Sequence, residues 1–594
     1  MAIYNQGKLA GVVGYSCLYP NEEIYSLEKL LTGLPRIWAT RLVSNMQNKL
    51  VDKPFYNPDF RDEETTQIDV PRFFFGPNNL DLLLDVIHRY KAYCALKIER
   101  KQQPMEYATG SETPLLLLKY IMAMPESDSS DNIAQLEQNL FTAFLIANDI
   151  TFNRNQGESP YKQEDDLELY LASLLMSRYA YNDFTNQESD INELVRNQNN
   201  RTAKFFNFVS QHPKLKDLYE DFLQAYKIRS WKDYLRTYWS ILGLVKYNTG
   251  VVNFEQLNDV DGLLSEQIVD KDSIDMLEVV PLEDNVDYQT FREKPFIKIA
   301  PHEYAIIDVS FVIYRMFNGL YFIFNDLWKC KHPDNMQGFN TIFTTEFSEE
   351  TVLVKCLKEI ANTHGWFSLT DNECKSVVPE KDLSAPPDFY IRDGADVILF
   401  ECKDVKIPKE VKAEGTIQQL LDEVDKNFVG YHDAKKNKWR YKGVGQLVRN
   451  AKRIQKGKFA WDKDADKNSR IFLVLVLADA KQVGAGWKNY LHRKMLEECI
   501  RQEIDDERIC PLILTDLGTL TLYKENFKKK GFLRYFTYYY KQTSFDLATI
   551  HVGHLMTNIM NQTMSFGRYM NGEELLGYEE LIKEVKDALK LPKN

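Results

Sequence analysis

From the start of the chain to about position 280, apolar residues recur at helical spacing between polar breaks, as in 78–100 (NNLDLLLDVIHRYKAYCALKIER) and 230–247 (SWKDYLRTYWSILGLVKY). This pattern predicts a large helical N-terminal domain over 1–280. The acidic, Asn-rich stretches 126–132 and 186–192 read as surface loops, and no internal repeat is present. The segment 280–294 turns acidic and loses the helical period. Residues 296–309 then read as two short strands around Pro301 and His302, and an apolar helix follows from Ser310. That helix carries Arg315 and Asp326, which suits a buried protein helix better than a lipid-facing one. Residues 281–345 are therefore read as a joining region.

From Ser348 the periods mix. A helix is expected to begin with Ser348 as its N-cap and to end just before Gly365, with a strand starting near Trp366. A hairpin follows at 386–403 (PPDFYIRDGADVILFECK), then a long polar insertion, a helix around 443–455, the buried strand 471–478, another helix and the strand 510–516. The expected fold class is α + α/β. The helical N-terminal region precedes a mixed β-sheet core flanked by helices over 346–525, and a helical extension occupies 526–594.

Composition narrows the class. The chain has 594 residues, 44% hydrophobic and 27% charged, with mean hydropathy −0.41, which suits several globular cores and neither a disordered nor a membrane protein. No continuous apolar run reaches membrane-spanning length, and the N-terminus lacks a secretory pattern, so a cytoplasmic location is expected. Eight cysteines show no CxxC pair, which favours reduced thiols. A net charge of −12 opposes general coating of nucleic acid, so any such contact must be a local basic patch. One exists: 434–461 contains no Asp or Glu but ten Lys and Arg. Within it Arg449, Lys452, Arg453 and Lys456 are candidate nucleic-acid contacts, set against a solvated helix face.

The hairpin carries the candidate chemistry. Side chains alternate along a strand, so Val397, Leu399, Glu401 and Lys403 share one face. A turn at Asp393–Gly394 puts Asp388 diagonal to Glu401, and a turn at Gly394–Ala395 puts them directly opposite; in either register Asp388, Glu401 and Lys403 face the same way. Two carboxylates about 5 to 8 Å apart on one face repel each other, and a divalent cation relieves the repulsion. Oxygen ligands with positions left for water and phosphate suit Mg²⁺, with Mn²⁺ as an alternative. A lysine beside them can assist a nucleophile and stabilise growing negative charge. Lys403 lies at a strand end, so its removal is expected to cost little stability. The pair His551 and His554 lacks further ligands in the right rhythm for a metal site.

Pro387-Asp388, twelve intervening residues, then Glu401-Cys402-Lys403 resembles the PD-(D/E)xK motif of restriction-endonuclease-like nucleases, over about 346–525. The resemblance implies that Asp388 and Glu401 bind the metal and that Lys403 assists the nucleophile. It also implies that a glutamate of the preceding helix completes the site. Glu350 is favoured over Glu349 and Glu359, because Leu353, Leu357 and Ile360 follow it on one helical stripe. Gln446 resembles the glutamine that such nucleases carry on a following helix. The implied activity is Mg²⁺-dependent cleavage of nucleic acid, DNA first, and the architecture suggests a bacterial anti-phage defence effector whose helical N-terminal region controls access or docks a partner or second copy. RNA cleavage and a binding protein that does not cleave are the alternatives.

Overall fold

The computed structural model describes the chain except residues 1–10, 52–69, 77–78, 101–105, 108–111, 128–131, 155–157, 182–190, 246–249, 256–265, 277–287, 378–384, 414, 505–506, 545–560 and 578–594. It is mixed α/β, 63% helical, with mixed sheets of four and five strands. The chain forms two compact units, Met1–Gly157 with Phe222–Gly319, and Glu158–Asp221 with Leu320–Asn594. The units interleave along the sequence, so residues 158–221, helical in pattern like the region before them, belong with the hairpin. Among the described residues no helix is long and apolar enough to cross a membrane.

In the first unit, helices including Arg36–Val51, Thr113–Ala123 and Ile133–Arg154 accompany a four-stranded sheet. Its two central strands, Phe296–Ala300 and Glu303–Ile306, reverse at Pro301 and His302, where His302 adopts φ +61°. Arg315 meets Asp272 at 2.7 Å, and the hydroxyls of Tyr226 and Tyr238 donate to the same carboxylate at 2.9 and 2.5 Å. Both carboxylate oxygens of Asp272 and the Nε and Nη2 groups of Arg315 are hydrogen-bonded, the condition under which a buried charge is tolerated.

The second unit is built on a five-stranded sheet. In chain order its labelled elements are α1 (Leu167–Tyr181), α2 (Ile191–Gln211), α3 (Lys355–His364), β1 (Phe367–Thr370), β2 (Phe389–Asp393), β3 (Asp396–Lys403), α4 (Ile417–Phe428), β4 (Gly430–Asp433), β5 (Lys438–Tyr441), α5 (Gly443–Gln455), β6 (Arg470–Leu477), α6 (Trp487–Arg501), β7 (Ile513–Asp516) and α7 (Phe532–Thr543). The strand order is β7-β6-β3-β2-β1. The first three strands of that order run parallel to one another, and β2 and β1 are antiparallel additions. Strand β6 lies inside the sheet between β7 and β3, and Ile471–Leu477 is buried on both faces, as expected of a parallel strand covered by helices.

Leu399, Leu473, Leu475 and Leu514 share a core with Leu420 and Val424 of α4, Val444 and Leu447 of α5, and Leu491 and Met495 of α6. On the opposite face Phe400 meets Phe532 of α7 at 5.6 Å and Phe389 at 6.3 Å.

Two local features differ from the sequence expectation. Ser348 does not start a helix: the chain is already helical from Gly338, and 342–354 is wound as a π-helix running into α3. The Ser348 hydroxyl reaches Asp404 at 3.3 Å, so its partner is tertiary. The helix does end at Gly365, in the left-handed conformation at φ +67°. The polar insertion after β3 is also structured. Thr416 and Gln419 form a capping box, and Ile417, Leu420, Leu421, Val424 and Phe428 bury one face of α4. Strands β4 and β5 then pair as a separate two-stranded ribbon.

Candidate active site

The hairpin register decides the site. Asp393 pairs with Asp396, leaving Gly394 and Ala395 as the turn, with Gly394 at φ +59°. This is the second of the two registers considered. Continued by one residue past the Phe389–Phe400 pair, it sets Asp388 opposite Glu401. Glu401 in turn lies beside Leu475 of β6, and Lys403 beside Leu477.

Buried Pro386 and Pro387 lead the chain into Asp388. The Cys402 N–H donates to its Oδ2 at 2.6 Å, and Asp371 N–H to its carbonyl at 3.2 Å. The Lys403 ammonium donates to Glu401 Oε1 at 2.5 Å and to the Cys402 carbonyl at 3.1 Å. Glu401 is 1% exposed in its side chain, and its other oxygen, Oε2, is buried without a hydrogen-bond partner. An unsatisfied buried acceptor is costly, and more so when charged.

The electrostatics follow from this packing. Burial, then the charge of Asp388, pushes the Glu401 carboxyl up to about 8 against the pull of Lys403. Burial also raises Asp388, offset in part by Lys403 and the Cys402 N–H. Glu349, on the π-helix, is pushed up to about 7 by burial, Asp388 and Asp371. Burial works against the charge on Lys403, but Glu401 and Asp388 outweigh it and hold the ammonium protonated above its ordinary range. Three acids thus crowd one lysine, each holding a proton more tightly than it would in water.

Glu349 and Glu350 are placed differently from the helical-stripe expectation. Glu350 is exposed, and its Oε1 lies 3.5 Å from Asn372 Nδ2. Glu349 is the residue coupled to Asp388 and Glu401. A 3.6-residue turn would put Glu350 on the stripe of Leu353, Leu357 and Ile360, whereas i→i+5 winding over 342–354 rotates the residues before Leu353 to other directions. Lys403 differs as well: its side chain is only 17% exposed, so removing it leaves Glu401 buried without its cation, and a stability cost replaces the expected neutrality.

Helix α5 brings its start to the site. A Cβ on Gly443 would lie 3.3 Å from Leu475, the strand neighbour of Glu401. Gln446 Oε1 accepts the Gly443 N–H at 3.0 Å, closing the helix start. Gln446→Ala should therefore lower stability by about 1 kcal/mol, by analogy with loss of a capping side chain, read as a shift in urea midpoint at unchanged slope. Lys442, which the sequence reading did not place in the site, precedes this helix, and its charge is disfavoured by burial and by Lys403 while Glu401 supports it. Its position directly before the helix was the available signal.

The basic residues of α5 are largely engaged within the protein. Arg449 lies over Tyr441 at 5.3 Å, and Arg453 lies over Trp461 and donates to Asn450 at 2.8 Å. Lys452 donates to the Gln502 carbonyl, and Lys456 is exposed. Long basic side chains lie along apolar and aromatic surface in this way when their helix packs against neighbours. The pair His551 and His554 falls outside the described residues.

The donor set suits a hard divalent cation. It offers carboxylate oxygens from Asp388 and Glu401, with Glu401 Oε2 unsatisfied by protein. Among the described residues no group of three or more His, Cys, Asp or Glu side chains is placed to hold a metal ion. A site of two carboxylates would leave its remaining positions to water and substrate, as Mg²⁺ commonly does. Comparison with family models, curated proteins and solved structures gives no match for this chain.

Proposed function

We propose that this chain is a Mg²⁺-dependent phosphodiesterase that cleaves nucleic acid, DNA first, with a restriction-endonuclease-like core in its second unit. The observation that carries the reading is the buried Glu401 carboxyl, facing Asp388, ion-paired to Lys403 and with Oε2 unsatisfied. A structural Glu–Lys pair has no need of a second buried acid opposite it, since the added repulsion costs stability. A cation-binding pair does.

In this reading Asp388 and Glu401 hold the metal, which when bound supplies Lewis acidity toward phosphoryl oxygen and makes water a better nucleophile near neutral pH. Lys403 stays protonated beside Glu401 Oε1 and stabilises negative charge as it grows on the scissile phosphate. Glu349, with its carboxyl near neutrality, is suited to accept a proton from the attacking water. The hydrophobic wall of Leu399 and Leu475 keeps the local dielectric low, which strengthens each of these interactions.

The test incubates the purified protein with plasmid, linear duplex, single-stranded DNA and RNA, in Mg²⁺, Mn²⁺ or EDTA. Metal-dependent degradation is the expected result. Binding without degradation in any metal would replace the enzyme by a nucleic-acid-binding protein.

A further inference from the structure

The ribbon β4–β5 stands apart from the five-stranded sheet, in the stretch between β3 and α5. Its register pairs Tyr431 with Arg440, Asp433 with Lys438 and His432 with Trp439. Opposed residues share a face, so Trp439 and Tyr441 lie on one side, and Tyr431, Asp433, Lys438 and Arg440 on the other.

The aromatic side is already covered. The Trp439 indole presses on Gly430 of its own ribbon, where a Cβ would sit 2.7 Å from Nε1, and Arg501 caps the ring at 4.2 Å. Arg501 also lies 5.1 Å from the Tyr441 ring, which Arg449 approaches from α5 at 5.3 Å. These contacts fasten the ribbon and leave Trp439 and Tyr441 engaged, so they do not offer a platform on which unpaired bases could stack.

The other side and the tip are basic and open. Residues 434–438 are all exposed. Arg440 pairs with Asp433 at 2.7 Å, while among the described residues the ammonium groups of Lys435, Lys436 and Lys438 have no acidic partner within ion-pair distance. The ribbon then runs through Lys442 directly into Gly443, which packs against the strand neighbour of Glu401. The open lysines of the tip are thus joined, through paired Arg440 and through Lys442, to the helix start beside the strand neighbour of Glu401.

We infer that the ribbon β4–β5, continued by Lys442, is the element that docks duplex DNA onto the carboxylate site, gripping phosphates without reading sequence. This rests on the nuclease reading above. A duplex is favoured over a single strand because the exposed tip carries ammonium ions and Trp439 and Tyr441 are engaged, which leaves half-buried Tyr431 on the basic side and no run of rings there on which successive bases could stack. DNA is favoured over duplex RNA because the B-form major groove, about 12 Å wide, admits a two-stranded ribbon, and the deep, narrow A-form groove does not.

The full chain tests this with fluorescent duplexes of about 30 base pairs in two unrelated sequences, the matching RNA duplex and the single strand. Anisotropy is read in EDTA across a salt series. The wild type should bind both DNA duplexes alike. The triple variant Lys435→Gln, Lys436→Gln, Lys438→Gln should bind at least about tenfold more weakly at low salt, with the slope of log affinity against log salt reduced by about 2 to 3. Lys442→Gln should remove a further increment of about 0.9. In Mg²⁺ the triple variant should raise KM for duplex DNA and leave kcat within about twofold, as loss of uniform binding does. Lys463→Gln with Lys467→Gln, both exposed elsewhere on this unit, controls for net charge and should change little.

An unchanged salt slope in the triple variant, with duplex cleavage intact, overturns the docking inference and leaves the nuclease reading standing. So does a protein that prefers single strands or duplex RNA. A wild type that neither binds nor cuts any of these probes overturns both.

Discussion

Lys403→Ala is expected to slow metal-dependent cleavage by about two or more orders of magnitude, with metal and substrate still bound. The reason is location: the ammonium is fixed by Glu401 Oε1 and the Cys402 carbonyl, so its charge is pre-oriented where phosphate charge would develop. Asp388→Ala should instead abolish cleavage by losing the cation, which Mn²⁺ titration by calorimetry would register as absent binding. Single-turnover rates on a duplex substrate separate the two variants. If Lys403→Ala cuts like the wild type while Asp388→Ala does not, the lysine is a structural counter-ion only. If neither variant changes the rate, the activity belongs to something other than this site.

The second large effect couples metal, pH and stability. The Glu401 carboxyl is held at about 8 when folded, against an ordinary 4.5, so between those values the folded protein keeps a proton that the unfolded chain has released. Glu349 does the same up to about 7. Unfolding therefore releases protons in this window, and stability falls as pH rises through it. Without divalent ions the Tm should drop by about 5 °C or more between pH 5.5 and pH 8.5. On the proposed reading a bound Mn²⁺ would replace the protons, so the stabilisation it gives should grow with pH over the same interval. Glu401→Gln should melt higher than the wild type in EDTA at pH 8.5, with most of the metal response gone. Lys403→Ala should melt lower there, because it strips the buried carboxylate of its cation. A flat Tm-versus-pH curve in EDTA, or equal Mn²⁺ stabilisation at pH 5.5 and 8.5, would remove the acid cluster as a cation site.

Local chemistry was legible in the sequence wherever one physical rule acted alone. Alternation along a strand, with either hairpin turn, put Asp388, Glu401 and Lys403 on one face, and the apolar run 471–478 marked a buried strand. Gly365 ended its helix as the left-handed cap that position favours. The capping box at Thr416 and Gln419 was equally local and could have been read, with its apolar stripe, as the start of α4.

Tertiary structure decided what local rules left open. The hairpin turn could fall on either of two residue pairs, and pairing of β3 with β6 and β2 together fixed it at Gly394–Ala395. The half-buried place of Glu349 and the exposed place of Glu350 follow π winding, which a 3.6-residue period cannot anticipate. The basic stretch was uniform in composition, yet Arg449, Lys452 and Arg453 turned to aromatic rings and carbonyls while Lys435, Lys436 and Lys438 stayed open. Charge along a chain sets the field a segment could exert, but packing decides which of those charges remain exposed to exert it. Sequence also marked Glu401 as an acid on an apolar strand. How far its carboxyl is pushed toward 8 depends on burial and on Asp388 opposite, and both exist only once the strands have met.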